Sequence, residues 1–276
     1  MVADTAPFEL PGDDRGILCV HGFTGTPYEM RPLAEDLNAH GYTVRAMLLP
    51  AHGTSTDELA LSTWQQWYEG VEAELDELRQ RCRVVYAVGQ SLGGLLTLHL
   101  ARTRGDQLSA IACLATPMWL SPMVRALIAA TRIPAIGNRL REIPKVGGSD
   151  AADARVRRDN PGYRAFPVPA LHQLSDFMGM VRRDLGLVRV PTVVVHGRQD
   201  HTAPVACGRE ITRRIGAPRV RRHTLERSFH LVACDVEHML AAEQVSAFFE
   251  QESHRHQRLQ PGGQTSGRPT TTIHEG

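Results

Sequence analysis

One stretch, Val84-Val85-Tyr86-Ala87-Val88-Gly89-Gln90-Ser91-Leu92-Gly93-Gly94, limits what this chain can fold into more than any other. An apolar, β-branched run of strand character passes almost directly into a helix-forming segment, Ser91–Thr103. Joining the two needs a sharp reversal with Ser91 at its apex. Side chains two residues to either side would collide there, which accounts for the glycines at 89 and 93. The turn pushes the Ser91 hydroxyl out at a helix N-terminus, where free N–H groups and the helix dipole favour developing negative charge. Ser91 is therefore the candidate nucleophile, to be weighed against a small-residue turn without chemistry.

Similar apolar runs recur along the chain. Gly16–Val20, Tyr42–Leu49, Val84–Val88, Ser109–Ala115 and Pro191–His196 read as buried strands, with Arg219–Leu225 a more polar last one. Between them Pro27–His40, Thr63–Cys82, Ser91–Thr103, Pro204–Ile215 and Val236–Gln251 read as helices. This alternation predicts an α/β domain with a mostly parallel sheet and helices on both faces. The interval from Thr116 to about Arg189 breaks it, with helical segments but no convincing strand. A long insertion of this kind is a cap or lid more often than a domain of its own. The expected layout is one domain over 1–250, a cap at about 117–187, and a disordered tail over 251–276, which is polar and rich in Gly, Pro and Thr.

Charge nearly balances, with 31 basic and 30 acidic residues in 276. No single-sign field steers the chain to nucleic acid or to an anionic membrane. Lys145 is the only lysine and reads first as compositional bias toward arginine. Five scattered cysteines without CxxC spacing argue against a disulfide framework or a structural zinc. The N-terminal stretch lacks the basic start and apolar core of a signal peptide. No apolar run approaches the ~20 residues that cross a bilayer. The cytoplasm is the expected compartment.

A serine hydroxyl needs a base, and the base an orienting acid. Asp200 follows the strand ending at His196 through the turn Gly197-Arg198-Gln199, and His230 follows the last strand in Arg227-Ser228-Phe229-His230. Both then lie at strand C-terminal ends, on the same edge as Ser91, where open α/β sheets bind ligands. Among 13 histidines the others read as solvated or core groups. His201 adjoins Asp200 but is expected to point away, and His223 lies within the final strand. Asp235 is the alternative acid. A second strand ends in His21-Gly22-Phe23-Thr24-Gly25, a small-residue loop able to turn a backbone N–H toward Ser91. The N–H groups of Phe23 and Leu92 are the candidate oxyanion donors. The Phe23 ring is a candidate wall of the acyl pocket, and His21 reads as a brace for the loop.

HGFTGTP, GQSLGG, the HGRQD turn and SFH, in that order, resemble the α/β-hydrolase superfamily over roughly residues 15–250. MRPLAEDLNAHGYTV and LLPAHGTS bring the likeness closer to bacterial carboxylesterases and monoacylglycerol lipases. The resemblance implies carboxylic-ester hydrolysis through an acyl-enzyme, with no metal or cofactor. It also implies Ser91, Asp200 and His230 as triad, Phe23 and Leu92 as oxyanion donors, and a small helical cap after the sixth family strand. The short N-terminal lead leaves room for only a brief antiparallel strand around Phe8-Glu9-Leu10, hence six or seven strands. Trp119, Leu120, Met123, Val124, Leu127 and Ile128 follow helical spacing, and an apolar cap face would suit an acyl chain. Trp119 and Met123 are the candidate substrate contacts. Arg155, Arg157 and Arg158 read as a solvated face, with a coenzyme A phosphate as the alternative.

The expected partner is a small acyl ester of short to medium chain, monoacylglycerols among them, with no nucleic acid and no stable membrane insertion. Transient contact with a lipid surface through the cap stretch stays open, although Arg125 and the short length count against it. Thioester hydrolysis or acyl transfer by the same triad is the alternative, and a non-catalytic binding role the minor one.

Overall fold

The computed structural model describes residues 5–137 and 139–259. A seven-stranded sheet forms from β1 (Phe8–Leu10), β2 (Arg15–Val20), β3 (Thr43–Met47), β4 (Val84–Gln90), β5 (Ala110–Leu114), β8 (Thr192–Gly197) and β9 (Val220–Leu225). Its order is β1-β3-β2-β4-β5-β8-β9, and β1 alone runs antiparallel to its neighbour. A short separate hairpin pairs β6 (Glu142–Pro144) with β7 (Ala165–Pro167). The helices are α1 (Arg31–Ala39), α2 (Thr56–Leu61), α3 (Trp64–Arg79), α4 (Leu92–Thr103), α5 (Pro122–Thr131), α6 (Pro134–Gly137), α7 (Ala154–Asp159), α8 (Val168–Asp184), α9 (Ala206–Arg214) and α10 (His238–Leu259). This is the α/β-hydrolase architecture.

The strand alternation divides the interior in two. Leu18 and Val20 of β2 join the core under α3, α4 and α8, while Ile17 and Cys19 point to the opposite core under α1 and α10. With both faces covered, the central strands read as near-continuous apolar runs. Helix α3 starts in a capping box between Thr63 and Gln66 and buries Trp67, Val71, Leu75 and Leu78 along one face.

The structure departs from the sequence reading in three elements. Helix α2 is a single short turn capped by Ser55, whose hydroxyl accepts from the Glu58 N–H, too brief to show a period. The β6–β7 hairpin lies in the interval read as strandless, because three residues a side give no alternation. Helix α10 runs on to Leu259, past the expected start of a disordered tail at Gln251. Its polar surface misleads there: Glu252 is 5% exposed and pairs with Arg219 of the sheet edge, and Phe249 stacks on Tyr86 with centroids 4.4 Å apart. The remainder of that tail expectation, 260–276, lies outside the described residues. Among the described residues no helix is long and apolar enough to cross a membrane.

The α10 contact is testable. Phe249→Ala opens a cavity in a closed core and should lower stability by about 3–5 kcal/mol in urea unfolding. Met239→Ala on the exposed side of the same helix should stay within about 0.5 kcal/mol of the parent.

Candidate active site

Ser91 sits between β4 and α4 with φ 55° and ψ −113°, a left-handed backbone that a β-carbon-bearing residue adopts only under constraint. The constraint is crowding. A Cβ on Gly93 would overlap the Val20 carbonyl of β2, and one on Gly89 would overlap the Gly93 backbone. Thr24, Ala51 and Ala115 also have positive φ, and each follows the C-terminal end of a sheet strand: Thr24 after β2, Ala51 after β3, Ala115 after β5. Such strain gathers where a surrounding fold over-determines a site.

The edge brings the three distant side chains together. His230 Nε2 lies 2.9 Å from Ser91 Oγ, and His230 Nδ1 lies 2.8 Å from Asp200 Oδ2. The other Asp200 oxygen accepts from the backbone N–H groups of Thr202 and Ala203, at 2.9 and 2.7 Å. Asp200 is thus held as a carboxylate, and Nδ1–H of His230 donates to it. That leaves Nε2 as the acceptor facing Ser91, the tautomer required to take a hydroxyl proton.

Electrostatics reinforce this arrangement. Burial alone would raise the Asp200 pKa. The charge of His230 and hydrogen bonds from His196 and His230 outweigh it and hold the carboxyl well below its usual range. Burial alone would lower the His230 pKa. The Asp200 charge and hydrogen bond, with Asp150 and Glu29 beyond, override that and raise it above 6.5.

The β2 loop lies against Ser91: a Cβ built on Gly22 would stand 3.5 Å from Ser91 Cβ. Gly25 N–H donates to Gly22 O and closes the turn around Phe23. Leu92 is the first residue of α4, so its N–H has no acceptor within the helix. The β2 loop and the start of α4 therefore both border Ser91. His21 braces the loop as expected. Its Nε2 accepts from Leu49 N–H at 3.0 Å, and its Nδ1–H donates to Gly22 O at 2.9 Å. Full burial, with His52 adding to it, pushes its pKa down to about 3, so it stays neutral.

Other sequence candidates fall elsewhere. The Asp235 carboxylate accepts from the N–H groups of Phe229, Ala152 and Asp153, so it ties the His230 loop to the interval before β8 instead of touching the imidazole. His201 turns away and bonds to Asp150 at 2.8 Å. Met123 is 79% exposed, because α5 buries Ile128 and Thr131 and turns Met123 outward. Trp119 packs beneath the Arg182 guanidinium, 5.1 Å from its ring centroid. The Phe23 ring stacks on Phe166 of β7, 6.1 Å away and 3° from parallel.

Sequence reasoning missed the supports, since each joins segments far apart in the chain. The Asp150 carbonyl accepts from His230 N–H and Leu231 N–H, while its carboxylate takes His201 and Thr202, so one residue fixes both the acid and the base loops. Gln90 Oε1 accepts from Ala233 N–H and links the nucleophile strand to the base loop. Asn160 donates to the buried Glu29 carboxylate at 2.9 Å, and Tyr163 N–H donates to Thr24 O, which seats the interval on the β2 loop. Among the described residues no group of three or more His, Cys, Asp or Glu side chains is arranged to hold a metal ion.

A parallel sheet with a strained serine elbow defines the class as an α/β-hydrolase. The chain belongs to the family described as "Serine aminopeptidase, S33", whose profile matches residues 13–237. It is similar to the thermostable monoacylglycerol lipase of Bacillus sp. (strain H-257), 30% identical over 257 residues, 90% of this chain and 96% of that one. It is also similar to the carboxylesterase of Bacillus subtilis (strain 168), 26% identical over 250 residues, 90% and 98% of the two chains. Among solved structures it resembles one reported for two metagenome-derived lipolytic enzymes, with TM-score 0.82 and 30% identity over 90% of this chain and 98% of that one.

The Asp200–His230 pairing has a signature apart from turnover. An NMR titration of 15N-labelled imidazole should give His230 a pKa above 6.5, and Asp200→Asn should bring it down, because the carboxylate is its chief stabiliser. An unchanged pKa in the variant would contradict the coupling.

Proposed function

We propose that this chain is a carboxylic-ester hydrolase that works through a covalent acyl-enzyme on Ser91. The observation that carries the reading is the unbroken series of bonds from Asp200 through His230 to Ser91 Oγ on the turn between β4 and α4. His230 Nε2 takes the Ser91 proton as Oγ attacks the ester carbonyl. Asp200 stabilises the imidazolium that results. The N–H groups of Phe23 and Leu92 receive the oxyanion, an interaction of the kind whose loss lowers kcat by about 10²–10³. The tetrahedral species collapses, His230 returns the proton to the leaving alcohol, and water repeats the cycle to free the acid.

Residues 117–187 act as the cap that shields this chemistry. The aromatic wall of Phe23 and Phe166 suits a short- to medium-chain acyl ester, monoacylglycerols included. The family description names a peptidase, but both relatives that span nearly the whole chain are named for ester substrates, and that favours esters. The five cysteines are buried and unpaired, which suits a reducing cytoplasm.

Purified protein should hydrolyse p-nitrophenyl butyrate and octanoate, and oxygen esters should outrank acyl-CoA thioesters of equal chain length. Ser91→Ala should lower kcat by about 10⁶. Turnover surviving in that variant would refute the assigned nucleophile.

A further inference from the structure

Beside the β2 loop lies a charged group that the proposed reaction leaves unused. Lys145, the one lysine of the chain, follows directly after β6. Its backbone N–H is anchored to the Arg164 carbonyl at 2.8 Å across the hairpin. Its ammonium stands 4.9 Å from the centroid of Phe166, the ring that stacks on Phe23. The same aromatic cluster holds His52, whose ring is 6.2 Å from Phe23, and the charge of Lys145 reaches both His52 and Glu29. Among the described residues the ammonium has no hydrogen-bond acceptor and no ion-pair partner. Glu29 does not fill that role. Its carboxylate is fully enclosed under Gly22 and Gly25, where Asn160 donates to it.

We infer that Lys145 is a substrate-recognition residue: its ammonium receives an ionised carboxylate on the substrate, so that half-esters of dicarboxylic acids are taken ahead of their uncharged diesters. The inference deepens the ester-hydrolase reading and rests on it.

A cation drawn out of water without an anion or a full set of acceptors is costly, and one aromatic face recovers only part of that cost. Desolvation accordingly lowers the Lys145 pKa to about 8, with Glu29 partly opposing. The group is still mostly charged at pH 7, and a docked carboxylate would both satisfy it and hold it charged. A single ammonium with Glu29 nearby matches a monoanion better than a dianionic phosphate.

The test compares monoethyl glutarate with diethyl glutarate at pH 7, a pair that differs by one ethyl group and one charge, by proton release. The parent should favour the half-ester in kcat/KM. Lys145→Met should reduce the half-ester to diester ratio about tenfold, chiefly through KM, whereas Lys145→Arg keeps most of it. A ratio unaltered in Lys145→Met, or a parent without preference for the half-ester, overturns the inference. In parallel, calorimetric binding of monoethyl glutarate to Ser91→Ala should weaken about tenfold when Lys145→Met is added. Unweakened binding overturns the inference as well. Failure of the parent to hydrolyse any ester, with that binding difference intact, would instead refute the hydrolase reading.

Discussion

The approach of α4 to β2 sets the geometry on which the site depends. The Gly93 backbone lies so close to the Val20 carbonyl that no side chain fits between them, and this contact fixes where β4 ends and α4 begins. The reversal that results forces Ser91 into a left-handed conformation. It also aims the hydroxyl away from the sheet and exposes the first N–H of the helix beside it. The Ser91 conformation and the start of α4 beside it thus follow from one packing contact.

Around that fixed point the remaining groups come from loops that have no sequence proximity and are tied by polar bonds. Asp150 joins the acid loop to the base loop, Gln90 joins the nucleophile strand to the base loop, and Glu237 receives the N–H groups of Arg227 and Ser228 just before His230. Several of these bonds run from backbone N–H donors to carbonyl, amide or carboxylate oxygens, which hold position firmly because leaving either partner unpaired is costly. The interval between β5 and β8 is part of this scaffold. Through Asp150, Asn160 and Tyr163 it reaches the His230 loop and the β2 loop at once.

What was legible in the sequence was what local physics encodes. The buried strands announce themselves as apolar runs because both sheet faces are covered, and the elbow announces itself because two glycines are sterically required. The meeting of Asp200 and His230 with Ser91 was readable because each follows a strand end directly. The supports were not readable: Asp150, Glu29 and Asn160 act across gaps of 51 to 131 residues, and nothing near them in the chain reveals a partner. The exposure of Met123 was not readable, because helical spacing tells which residues share a face but not whether that face looks inward. The end of α10 misled because Glu252 is polar in composition yet buried by its pairing with Arg219.

The central claim is that the Ser91 hydroxyl becomes reactive because Asp200 and His230 converge on it beside two aimed N–H groups. The most direct measurement is a crystal structure of the protein after reaction with an alkyl phosphonate ester, whose phosphonyl oxygen stands in for the oxyanion. The account predicts a phosphorus–oxygen bond to Ser91 Oγ alone, with that oxygen about 2.7–3.1 Å from the backbone nitrogens of Phe23 and Leu92. Attachment to any other residue, or an adduct whose oxygen points away from those two nitrogens, would contradict it.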